Sequence, residues 1–183
     1  MKLIKFFLLI LLSFNISIKA NSNDKIKSLL KEGEKLIFIR HAVAPGGGDP
    51  VDFDILRCET QRNLSKEGIE QSKNIGKFFL ENNIKTNKVL SSEWCRCKQT
   101  AQYAFNQYET KSFLNSFFSE KFASNKNKQI NDLKKYINEW SGDNNLVLVT
   151  HYVIIQEVLN ITSSSGELIV TDKYFNVLAR QNF

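Results

Sequence analysis

Two unbroken apolar runs, "LIFI" at 36–39 and "LVLV" at 146–149, constrain this chain more than any other feature. A strand with one wet face alternates polar and apolar residues, whereas a run that is apolar at every position has to be covered on both sides. Such strands belong to largely parallel sheets with helices packed on each face. The rest of the sequence supplies those helices. Ile26, Leu29 and Leu30 mark a short amphipathic helix ending near Gly33. Ser65 caps a helix whose apolar side carries Ile69, Ile75, Gly76, Phe79 and Leu80. Residues from about Cys95 to Phe105 read as helix, and Ile130, Leu133, Ile137 and Trp140 recur at helical intervals. "YVIIQEVL" follows the second apolar run as a further helix. "KVLSS", "KSFLNSFF", "GELIV" and "YFNVLA" are the remaining strand candidates. The expected architecture is α/β, a three-layer sandwich with a mostly parallel central sheet flanked by helices.

The first twenty residues stand apart. Lys2 and Lys5 precede an apolar stretch from Phe6 to about Ile18, and Ala20 is followed by the polar "NSND". This is the layout of a secretory signal peptide, with an apolar part too short to span a bilayer comfortably. Residues 1–20 are therefore expected to be removed, leaving a single domain over residues 21–183 and a periplasmic or secreted protein. The formal charge of +6 loses three lysines and no acid with that segment. The remainder is too mildly basic, and has too little aromatic interleaving, to suggest nucleic acid as a partner. No membrane partner is expected once the signal is gone. In an oxidising compartment the three cysteines invite a bridge of Cys58 with either Cys95 or Cys97. They lack the paired spacing of a metal site, so no metal is expected.

Both strong strands end in the same way, "LIFIR-H" and "LVLVT-H", and these hold the only two histidines of the chain, His41 and His151. Ligands of parallel sheets bind beyond the carboxyl ends of the strands. That rule gathers Arg40 and His41, Ser91 and Ser92, and Thr150 and His151 at one edge. Arg96, near the start of a predicted helix just after "KVLSS", falls beside them. Arginine forks and a helix N-terminus suit an oxyanion such as phosphate.

"IRHA", "RNLSKEG", "SSEWCRCKQTA" and "LVTH", in this order, are similar to the motifs of the histidine phosphatase superfamily, in its phosphoglycerate mutase-like branch 1. The resemblance runs from about Lys35 to Leu159. It implies the phosphoglycerate mutase-like fold and a phosphoric monoester hydrolase of the histidine acid phosphatase type. His41 would be the nucleophile, forming a phosphohistidine, and Arg40, Arg96 and His151 would hold the phosphate without a cofactor. The family pattern has Arg-His-Gly, where this chain has Ala42. The family also places a glutamate acid where this chain has Ser116. Another carboxyl must then protonate the leaving group, or that group must leave easily. Asp49, in the loop after His41, is the first choice for an acid, with Asp52, Glu120 and Glu167 as others. Arg62 is a candidate to reach a substrate charge. The substrate is expected to be a phosphorylated small molecule, an envelope sugar or a phosphoprotein. The same residues also allow a phosphoglycerate mutase-type transferase, or an anion-binding module that has lost the acid.

Overall fold

In a computed structural model that describes residues 22–183, the chain forms a six-stranded sheet in the order β3-β2-β4-β1-β5-β6. The predicted signal peptide lies outside the described residues. The strands are β1 (Leu36–Arg40), β2 (Thr86–Ser91), β3 (Glu109–Thr110), β4 (Asn145–Thr150), β5 (Leu168–Thr171) and β6 (Val177–Gln181). β1, β2, β3 and β4 run parallel, with Ile37 opposite Val147 and Val89 opposite Val147 from the other side. β5 and β6 add an antiparallel hairpin at the far edge.

The two unbroken runs are covered as their sequence requires. Ile37, Ile39, Val147 and Val149 face one core, shared with α1 (Ser22–Glu32), α2 (Lys66–Glu81) and α3 (Cys95–Phe105). Leu36, Phe38, Leu146 and Leu148 face the other, against α5 (Lys126–Glu139) and α6 (Tyr152–Leu159). A short helix, α4 (Glu120–Ala123), precedes α5. The fold is thus the three-layer α/β sandwich that the pattern predicts.

Local rules explain the entry into α2. The Ser65 hydroxyl accepts from the Gly68 amide at 3.0 Å, which satisfies one of the free donors of the first turn. The inward side of α2 is carried by Ile75, Phe78 and Phe79, while Leu80 is largely in solvent. That corrects the predicted apolar face, in which Phe78 takes the place given to Leu80.

"KSFLNSFF" is not a strand. β3 stops at Thr110, and Ser112–Leu114 forms a 3-10 turn that buries Leu114. The carbonyls that a ladder would have used go to side chains instead. Leu114 O accepts from Thr150 Oγ1 at 2.7 Å, and Ser112 O and Asn115 O accept from Gln129 Nε2 at 2.8 and 3.0 Å. The turn carries Asn115 and Ser116 back over the carboxyl ends of β2 and β4.

Candidate active site

The parallel pairing brings the ends of three strands into register. The His41 amide donates to Thr150 O at 2.9 Å and the Ser92 amide to Val149 O at 2.9 Å. His41 and His151 therefore meet although 110 residues separate them, with ring centres 5.4 Å apart and edges crossed. Both are almost fully buried.

The hydrogen bonds fix which nitrogen of His41 is free. Nδ1 lies 2.8 Å from the carbonyl of Ala42, an acceptor only, so Nδ1 carries the proton. Nε2 keeps its lone pair, and Arg96 Nε donates toward it at 3.3 Å. Burial, and then the Arg96 charge, push the His41 pKa down to about 3, so the imidazole is neutral at any physiological pH. His151 sits at the N-cap of α6, where the positive helix end also disfavours an imidazolium. Its pKa is driven well down, first by burial and then by Arg96 and His41. Its Nε2 contacts Ser92 Oγ at 2.9 Å and Cys97 Sγ at 3.4 Å.

Around the two imidazoles lies a cleft of about 200 Å³ lined by Arg40, Arg62, Arg96 and a single carboxylate, Asp49. Arg40 ends β1 and turns its guanidinium under the Tyr152 ring, 5.5 Å from the ring centre, with Nη1 donating to Ser163 O at 2.5 Å. Arg62 Nη1 donates to Ala44 O at 3.0 Å and to Gly46 O. The Nε of Arg40 and the Nε of Arg62 are buried without a hydrogen-bond partner among the described residues. Burial, with repulsion from Arg96 added, lowers the proton affinity of both. Arginine nonetheless stays charged, so three cations face one anion.

Asp49 is tied down. Its carboxylate accepts from Arg96 Nη1 at 2.6 Å and Nη2 at 3.3 Å, and from Trp94 Nε1 at 3.0 Å. Burial alone would raise its pKa, but the Arg96 bonds and charge, with Trp94, hold it below the usual carboxylate value. A carboxylate so held has no proton to give. The other proposed acids do not line the cleft. Asp52 and Glu120 are exposed on the surface. Glu167 is buried but bonds Arg180 Nε at 2.7 Å and the Ser164 amide at 2.8 Å. Ser116 does line the cleft, with Phe118, Ser119, Phe122, Trp94 and Tyr152.

The structure thus brings together His41, Arg40, Arg96, His151, Arg62 and Asp49. It also adds a network that sequence reasoning leaves out. Ser92 Oγ, against His151, donates to Asn115 Oδ1 at 3.0 Å, and Asn115 in turn binds the Glu93 amide and carboxylate. The strand rule places Ser92 at this edge, but nothing in the spacing of Asn115 marks it. Among the cysteines, Cys58 pairs with Cys95, and Cys97 is free and buried.

No protein-family model and no curated protein matches the sequence. Solved structures do match in three dimensions. The protein histidine phosphatase SixA complexed with tungstate superposes with a TM-score of 0.56 at 14% identity, over 81% of this chain and 96% of that one. A phosphoglycerate mutase from Thermus thermophilus gives 0.56 at 13% identity, over 81% and 99%. A candidate alpha-ribazole-5'-P phosphatase from Escherichia coli K-12 gives 0.57 at 16% identity, over 80% and 95%. At these identities the likeness is one of fold: the chain has the phosphoglycerate mutase-like fold.

Proposed function

We propose that this protein is an exported phosphomonoester phosphatase that works through a phosphohistidine on His41. One observation carries the reading: a buried, neutral imidazole offers its unprotonated Nε2, which Arg96 meets, beside three guanidiniums that only one carboxylate balances. Nucleophilic attack needs the neutral ring, and the cations both keep it neutral and attract the phosphate. Phosphoryl transfer is then chiefly positioning and charge stabilisation. Arg40 and Arg62, with their unpartnered Nε donors, and Arg96 would hold the phosphate oxygens. Nε2 forms the bond to phosphorus, the ester oxygen leaves with its electron pair, and water later displaces the imidazole. Export is supported by the signal-like residues 1–20 and by the Cys58–Cys95 bridge, a bond typical of oxidising compartments.

The test uses the purified, oxidised protein and p-nitrophenyl phosphate. Turnover is expected, with an acid-labile adduct of one phosphoryl group in the intact mass, both lost in His41→Ala. Phosphate binding without turnover would instead establish an anion-binding module, and turnover that survives His41→Ala would remove His41 as nucleophile. The mass of protein recovered outside the cytoplasm should lack residues 1–20; retention of the segment in a cytoplasmic protein would end the export reading.

A further inference from the structure

We infer that the preferred substrates are phosphate esters of aromatic alcohols, whose leaving group departs without a proton from the protein. The inference rests on the phosphatase reading and concerns the other end of the ester. All 19 aspartates and glutamates fall between Asp24 and Asp172, within the described residues, so the search for an acid covers the whole chain. Of these only Asp49 lines the cleft, and its oxygens are taken by Arg96 and Trp94. The other oxygen groups lining it are the hydroxyls of Ser116, Ser119 and Tyr152, far weaker acids than a carboxyl.

This gap sorts esters by their alcohol. A phenolate is the conjugate base of an acid of pKa about 10. An alkoxide is nearer hydroxide, whose parent water has a pKa of about 15.7. The first can leave as the anion; the second waits for a proton that no free carboxyl lining the cleft supplies. In the step itself the Nε2 lone pair makes the N–P bond and the P–O pair leaves on the phenolate oxygen, which takes its proton from solvent. Water then attacks phosphorus, the N–P pair returns to Nε2, and the water proton passes to phosphate or solvent.

The walls of the cleft independently favour a ring. Trp94, Phe118, Phe122 and Tyr152 all line it. Phe118 is 59% exposed at its mouth and meets Tyr152 edge-on, with ring centres 5.7 Å apart. Phe122 meets Trp94 in the same way at 5.4 Å. A phosphate seated among the arginines sends its ester group past these rings, where a flat aromatic group can pack against them.

A leaving-group series tests this. Expected values of kcat/KM for phenyl and tyrosine phosphates exceed that for glycerol phosphate by roughly 10²- to 10⁴-fold, the usual worth of a general acid. Acetyl phosphate, a good leaving group without a ring, separates the two causes: Phe118→Ala should raise KM several-fold more for phenyl phosphate than for acetyl phosphate. Ser116→Glu, which puts a carboxyl on the cleft wall, should raise turnover of glycerol phosphate at least about tenfold. Equal rates on phenyl and glycerol phosphates would overturn the inference alone. So would Asp49→Asn abolishing glycerol phosphate turnover while sparing phenyl phosphate, since that would name Asp49 the acid. Faster hydrolysis of phosphoimidazole with aryl esters untouched would also overturn it. Absence of turnover on every donor would sink the phosphatase reading beneath it.

Discussion

His41 and His151 are the chain's only histidines, and their burial makes a pH prediction. An unfolded histidine takes up a proton near pH 6.5, while folded His41 refuses it until about pH 3. Between those limits the unfolded state binds more protons, so stability falls as pH drops and is regained above about 6.5. His151 acts in the same direction. His41 alone should remove about 2 kcal/mol between pH 7 and pH 5. Urea midpoints at the two pH values measure it, and His41→Gln should shrink the difference by that amount, leaving the share of His151. The two imidazole signals in an NMR titration should stay still over the same range; a signal moving with a midpoint near 6.5 would contradict the burial. At this scale the sequence is informative where position decides. Arg40, His41, Arg96 and His151 are legible because parallel strands must end together. The state of Asp49 is not. Its place in the loop is visible, but its forked pairing with Arg96 depends on how that loop folds back across 47 residues of sequence.

Between elements, the contact of α2 with α3 turns on Gly76. A glycine inside a helix ordinarily costs about 1 kcal/mol relative to alanine, so propensity alone predicts that Gly76→Ala stabilises. The packing predicts the opposite. A Cβ at Gly76 would sit 2.2 Å from the Ala104 carbonyl oxygen, a backbone atom that cannot step aside. Gly76→Ala should therefore destabilise by about 1–3 kcal/mol, visible as a lower denaturation midpoint, and a higher midpoint would show that α2 shifts freely. The same contrast explains which elements could be read. The buried runs of β1 and β4 announce themselves, because each residue needs cover. The segment 111–118 has aromatic, strand-like composition, yet Thr150 and Gln129 claim its carbonyls from elsewhere in the chain. No local pattern records bonds of that kind.

Across the whole molecule, the site is an assembly of strand ends closed by one loop, and the loop is held at both sides. Asp49 ties it to Arg96, and Cys58 ties it to Cys95, the first residue of α3. The bridge closes a span of 37 residues, worth about 4 kcal/mol as lost freedom in the unfolded chain. Mild reduction should lower the unfolding free energy by about 2–4 kcal/mol, measured by denaturant titration with and without reductant. An unchanged midpoint would mean that the bridge adds no constraint. Cys97 should take no part, since burial pushes its thiol up to about 12.

The bridge also gives the protein a manufacturing history. Cys95 precedes Arg96, so the bond that pins the loop is made one residue from the guanidinium that bonds both Asp49 and His41. A preparation from a reducing cytosol and one from an oxidising compartment share every residue of the folded domain yet are two different reagents. An inactive batch of the first kind says nothing about the second, and the redox state of the sample is part of the definition of the molecule being assayed.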